Sequence, residues 1–265
     1  MPSRLAVSLL ILAACAALPT GASAKGFRLG VTSAEVSATS ALVWTRADRP
    51  GFVTLEVARD SRVRRAVTRR RMRAAARADN TVQARLRGLT PGAHYFYRFT
   101  RPGARSDIGE FETAPRPSST KPVTFAWTGD SDPVKRPGTN DLVNSPFAAY
   151  LQMLRQRNDF NVNLGDTIYS DSDSQFERQD PLALSVPQKR AKYRDVLSDA
   201  ALRRVRASTG MYNHWDDHEF INDFAIDQTR YPTRSGAPEG QTRVVTVDGR
   251  SSTATARKRS SSTCP

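Results

Sequence analysis

Three acidic clusters stand out in the second half of the 265-residue chain: Asp130 with Asp132, Asp166 with Tyr169, and the run Asp216-Asp217-His218-Glu219. Each follows a short stretch of strand character, namely Val123 to Trp127, Phe160 to Leu164, and Gly210 to Trp215. Hard multivalent cations need several anionic oxygens about one point, and carboxylates held at the rim of a rigid sheet supply them without reorganisation. Asp166 and Tyr169 are three residues apart just past a strand, so one turn can present a carboxylate and a phenol to the same ion. A phenolate is a costly ligand at neutral pH unless a strongly Lewis-acidic ion lowers its pKa. That points to ferric iron and leaves other metals open. Only two cysteines occur, Cys15 and Cys264 near opposite ends, which excludes a disulfide framework and a multi-cysteine zinc module. Metal chemistry here must use oxygen and imidazole.

The elements that must position these residues follow a strand, helix, strand order. Val123 to Trp127 reads as a buried strand ending in Gly129-Asp130. Ser145-Pro146 then starts a helix with Phe147, Tyr150, Leu151 and Leu154 on one stripe, closed by Asn158-Asp159. Phe160 to Leu164 alternates before Gly165-Asp166, and a second helix over roughly Gln188 to Val205 leads to the third strand. In a parallel sheet the carboxyl ends of such strands lie side by side, where open α/β folds place their ligands. His214 and the pair Asn222-Asp223 read as structural.

The region before Thr113 is different in period. Short alternating runs such as Ala41-Leu42-Val43-Trp44-Thr45 and Phe52 to Val57 predict a small all-β module. Gly88-Leu89-Thr90-Pro91-Gly92 feeding a strand with Tyr95 and Tyr97 resembles the fibronectin type III family, in which Tyr95 would tie a loop back to the sandwich. His94 on the opposite face reads as a surface or packing residue. The run Arg62 to Arg73 is the densest positive charge in the chain. It has the charge to grip a polyanion but no interleaved aromatics for base stacking, and it reads first as a solvated strand and loop face. Ala114 to Pro122, rich in Pro and Ser, is a linker, with a domain boundary near residue 118.

Taken together, Gly165-Asp166-Thr167-Ile168-Tyr169 and Trp215-Asp216-Asp217-His218-Glu219-Phe220, downstream of a fibronectin-like module and Phe125 to Asp130, resemble the alkaline phosphatase D family of calcineurin-like metallophosphoesterases. The resemblance covers roughly residues 27 to 224. It implies a secreted phosphomonoesterase or phosphodiesterase working by metal-assisted hydrolysis at a bimetallic centre of Fe(III) and Ca(II), other divalent metals being possible, on small-molecule or polymeric phosphate esters. Asp166 would bridge the metals, Tyr169 would bind the iron, and Asp217 would stand where the wider superfamily has Asn. Asp130 would also be a ligand, where described members carry Cys; as a harder donor it shifts the metal preference. His218 is the candidate to protonate the leaving oxygen or to stabilise phosphoryl charge. Asp132, Asp216 and Glu219 are either ligands or groups that orient the ligands.

The resulting architecture is a signal peptide over residues 1–24, a fibronectin-III-like β-sandwich over 25–116, an incomplete α/β metallophosphatase domain of the αββα type over 122–232, and a basic low-complexity tail over 233–265. Export follows from Arg4, the apolar run Leu5 to Leu18 and Ala22-Ser23-Ala24, with cleavage before Lys25; Leu12-Ala13-Ala14-Cys15 alternatively resembles a lipoprotein signal with Cys15 as the lipid carrier. No segment is long enough to span a bilayer. Forty Lys and Arg against 26 Asp and Glu give +14, and only six of the forty are Lys, so the surface should attract anions. Nothing singles out a nucleic-acid partner. His218 is the last histidine and no aromatic follows Tyr231, so the sheet lacks its later strands. The tail is then either a basic appendage or out-of-frame translation beginning near residue 234, the reading preferred, with an aggregation-prone or inactive product expected. The competing function is an exported, non-catalytic protein whose β-module holds an anionic polymer.

Overall fold

The computed structural model describes residues 26–131, 146–171, 182–225, 230–233 and 243–246. The expected signal segment with Cys15, the residue Asp132, and most of the tail lie outside the described residues.

The N-terminal module contains β1 (Val31–Ala34), β2 (Ser40–Arg46), β3 (Gly51–Ala58), β4 (Ala66–Ala74), β5 (Thr81–Arg87), β6 (His94–Arg101), β7 (Ala104–Arg105) and β8 (Gly109–Glu112). One sheet runs β5-β2-β1; the other runs β4-β3-β6, with β7 and β8 both paired to β6. Alternation puts Val31, Val43, Val53, Leu55, Val57, Tyr97, Phe99 and Phe111 into one buried core, as two stacked sheets of a β-sandwich require. The Tyr95 hydroxyl accepts the Thr90 N–H at 2.9 Å, the tie-back expected from the Leu89–Tyr95 spacing. His94 is exposed and faces Glu112 at 3.0 Å.

The second module contributes β9 (Phe125–Thr128), α1 (Pro146–Gln156), β10 (Phe160–Asn163), α2 (Val186–Val196), α3 (Ala200–Ser208) and β11 (Gly210–Asn213). Its three strands are parallel, in the order β11-β10-β9, as the strand-helix-strand reading requires. The helix expected over Gln188 to Val205 is two helices. Ser198-Asp199 interrupts it, because the Asp199 carboxylate accepts the Leu202 N–H at 2.8 Å and caps a new helix.

One further expectation is corrected. The strand around Phe125 is not buried on both faces: Phe125 and Trp127 are 55% and 68% exposed, and register puts them on one face with Phe160, Val162 and Tyr212. Only the opposite face, with Ala126 and Met211, packs on the helices. The two modules on either side of the linker share a sheet: β1 pairs in parallel with β11 through Ser33 and Gly210, and one six-stranded sheet, β5-β2-β1-β11-β10-β9, runs through both. Trp44 of β2, fully buried, belongs to the helical module's core with Tyr150, Tyr193, Leu202 and Val205, and the Arg206 guanidinium lies 5.0 Å from its ring. Asp79 of the sandwich receives both Arg46 and Arg194 of α2 at 3.0–3.1 Å.

Beyond these, β12 (Arg230–Thr233) pairs antiparallel with β13 (Arg243–Thr246), the latter inside the stretch expected as a tail. No helix among the described residues is long and apolar enough to cross a membrane.

Candidate metal centre

The loops leaving β9, β10 and β11 meet at one rim. Gly165 makes that close approach possible. It adopts φ +123°, and a Cβ there would stand 2.4 Å from the Asp216 amide nitrogen and 2.7 Å from the Trp215 carbonyl carbon, which no side chain can occupy. Asp166 follows in the left-handed region at φ 51°. A short 3₁₀ turn over Asp217–Glu219, capped by the Asp216 carboxylate on the Asp217 N–H, delivers the second loop.

Glu219 joins the two loops. Its carboxylate, 1% exposed, accepts the N–H groups of Asp166 (3.0 Å), Thr167 (2.6 Å), Ile168 (3.3 Å) and Asp216 (2.7 Å). Burial pushes its pKa up against the pull of those amides. Lys189 of α2, itself buried, fastens the same region by donating to the Glu219 carbonyl at 2.8 Å, the Phe220 carbonyl at 2.9 Å and the Ser170 hydroxyl at 3.1 Å. Lys192 donates to the Tyr169 carbonyl at 2.6 Å.

On this frame Asp166, Asp217 and His218 each bring a ligand atom within 4.8 Å of the other two. The donor set suits a hard cation, with two carboxylates and one imidazole. Burial and the neighbouring charges of Glu219 and Asp217 push Asp166 up to about 7, while His218 pulls the other way. That is a surplus of negative charge which a bound cation would offset. The His218 ring nitrogen Nδ1 is 2.8 Å from Oδ1 of the fully buried Asp171, whose other oxygen accepts the Asn222 N–H at 2.8 Å. Burial opposes charging of His218, but Asp171, together with Asp166 and Asp217, outweighs it and raises the pKa to about 9. With Nδ1 engaged, Nε2 is the nitrogen left for a ligand or substrate.

The other candidates fall into place around this group. Tyr169 is half-buried, and its ring lies against that of His218 with centroids 4.3 Å apart. Asp130 is exposed and stands outside the group of three, at the same rim, where the next residue, Ser131, donates to the Asp166 carbonyl at 3.2 Å. Asp216 is exposed and caps its turn. His214 is exposed and its N–H joins the Asn163 carbonyl at 2.8 Å. Sequence reasoning missed Asp171 and Lys189. Asp171 follows Tyr169 by two residues, a spacing that could have marked it as a third acid of the same loop; Lys189 carried no signal.

A β-sandwich shares a sheet with an α/β unit, and two carboxylates and an imidazole gather at the strand ends as a group that could hold a metal ion. The family described as PhoD-like phosphatase, N-terminal domain, matches residues 13–115, and the family described as PhoD-like phosphatase matches residues 139–254. The chain belongs to the PhoD-like phosphatases. It is similar to alkaline phosphatase D of Bacillus subtilis (strain 168), with 27% identity over 219 residues, covering 75% of this chain and 36% of that protein. It also matches a solved structure titled "Structure of PhoD" with a TM-score of 0.72 and 24% identity, over 92% of this chain and 47% of that one. The chain therefore spans about a third of the curated relative and about half of the solved one. The second family match runs through β13, beyond the point where a change of frame was expected.

Proposed function

We propose that this chain is a metal-dependent phosphoric ester hydrolase of the alkaline phosphatase D type, exported from the cytoplasm and acting on small or polymeric phosphate esters. The observation that carries the reading is the convergence of Asp166, Asp217 and His218 within 4.8 Å at the strand ends. Asp166 and Asp217 would hold the ions, with Tyr169 as the phenolate ligand of Fe(III) and Asp130 as a hard donor toward Ca(II). Bound ions of this kind neutralise phosphate oxygens and make water nucleophilic near neutral pH. His218, oriented by Asp171, would donate a proton from Nε2 to the departing alkoxide or hold a phosphoryl oxygen. Glu219 and Asp216 would keep the two loops in place. The apolar leader ending in Ala22-Ser23-Ala24 supports export, and the Tyr95 tie-back supports a fibronectin-III-like ancestry for the sandwich.

The test is hydrolysis of p-nitrophenyl phosphate and bis-p-nitrophenyl phosphate with iron and calcium supplied or chelated. Metal-dependent turnover should fall about 100-fold or more in Asp166→Asn, within the range of losses seen when a catalytic group is removed. Turnover that ignores chelation, or survives Asp166→Asn intact, rules the reading out.

A further inference from the structure

The outer face of the sandwich sheet β4-β3-β6 carries an arginine array that the metal centre does not use. Between Glu56 and Arg73 the chain has eight arginines and two carboxylates. Strand β4 is an edge strand, and register places Arg69, Arg71 and Arg73 opposite Glu56, Thr54 and Phe52 of β3, on the face turned away from the buried Val53, Leu55 and Val57. Alternate residues of a strand stand about 6.8 Å apart. The three arginines thus leave one face of the strand at even intervals.

Neither carboxylate neutralises the row. Glu56 lies between Arg69 (3.1 Å) and Arg98 (2.7 Å), one negative charge shared by two positive ones. The Asp60 carboxylate is taken up by the backbone N–H groups of Arg62, Arg64 and Arg65 at 3.0–3.2 Å, which fixes the loop entering β4 and leaves those three exposed guanidiniums without an ion pair among the described residues. Arg71 lies 3.9 Å over the ring of Phe52. The aromatic missing from the arginine run is thus supplied by the neighbouring strand, but beneath a guanidinium rather than open to a base. That arrangement stiffens the cation and offers no free ring for stacking.

From this geometry we infer that the outer face of β4 and its entering loop bind a linear phosphate-bearing polyanion in extended form, independently of hydrolysis at the rim. Guanidinium forks suit phosphate oxygens, and a repeating row suits a repeating anion better than an isolated one.

The experiment uses the full chain carrying Asp166→Asn, so that hydrolysis cannot consume the probe. Binding of fluorescein-labelled long-chain inorganic polyphosphate is followed by anisotropy over a range of salt. The variant Arg64→Gln/Arg65→Gln/Arg71→Gln/Arg73→Gln should weaken binding about tenfold or more and flatten the plot of log K against log salt by about 2–3, the slope for four lost contacts to a single-stranded polyanion. Replacing the same four by Lys should keep most of the salt slope and fold equally well by circular dichroism. A charge-matched control, Arg87→Gln/Arg116→Gln/Arg155→Gln/Arg157→Gln, should bind nearly as the parent does. Equal loss in both Gln variants reduces the effect to net charge and overturns the site. Binding to phosphatidylglycerol vesicles but not to polyphosphate overturns it in favour of a membrane surface.

Discussion

The Glu219 carboxylate accepts the Asp166 N–H at 3.0 Å, so the residue that anchors one rim loop is supplied by the other. The metal-capable group therefore depends on a buried acid that sits behind it.

Replacing Glu219 by Ala leaves four amide donors in a buried site without their acceptor. The expected loss is about 2–4 kcal/mol, since each unsatisfied buried group costs about 1–3 kcal/mol and neighbours share the relaxation. Urea denaturation measures it. Glu219→Gln, which keeps one carbonyl acceptor, should lose less; equal stability for all three proteins removes the anchoring role.

Gly165→Ala should be as damaging as a core truncation. The added methyl meets backbone on the facing loop, which has no rotamer to change, and the φ of +123° is strained for any L side chain. A drop of at least about 2 kcal/mol is expected, accompanied by loss of metal binding in calorimetry. Wild-type metal affinity in the Ala variant contradicts the close approach.

Asp171→Asn removes the charge that holds His218 protonated. In chelated protein the His218 ring should titrate near 9 before the change and markedly lower after it, because burial then acts with less opposition. Ring chemical shifts by NMR report this directly. An unmoved titration means Asp171 does not set the state of His218.

Asp79→Asn tests the strut between the modules. Burial alone would raise the Asp79 pKa, yet Arg46 and Arg194 together hold it below its ordinary 3.8. A group depressed on folding stabilises fully above its unfolded value and loses that contribution as pH falls through the lower folded one. The wild type should therefore exceed the variant by about 1–2 kcal/mol at pH 7, a gap that narrows only below about pH 4. A gap that widens in acid reverses the sign and refutes the strut.

The rim was readable because its evidence is local. Gly165-Asp166 and Asp216 to Glu219 follow alternating strands, and the turn chemistry at Gly165 is written in the residue type. Tyr95 was legible for the same reason, being a short-range tie. Asp171 was not, since a Ser-Asp pair in a loop resembles any turn until His218 is brought to it from 47 residues away. Lys189 resembles a solvated helix residue, and only the fold shows it buried against three oxygens. The exposed face of β9 misled because large apolar residues at alternate positions signal burial without saying whether the covering layer is present. Pairing of β1 with β11 is invisible locally, as neither strand carries a mark of its partner.

That pairing has a bearing on how the protein assembles. The strand that completes the sandwich's edge is the first in the described chain, and the strand that seats against it is the last of the rim to emerge, so the junction closes only after residue 210 is available. Contacts of such long sequence separation slow folding. With Trp44 lodged in the other unit's interior, the two parts should melt in a single cooperative step, and a protease cut between Arg116 and Pro122 should yield a nicked complex that stays together until denaturant is added.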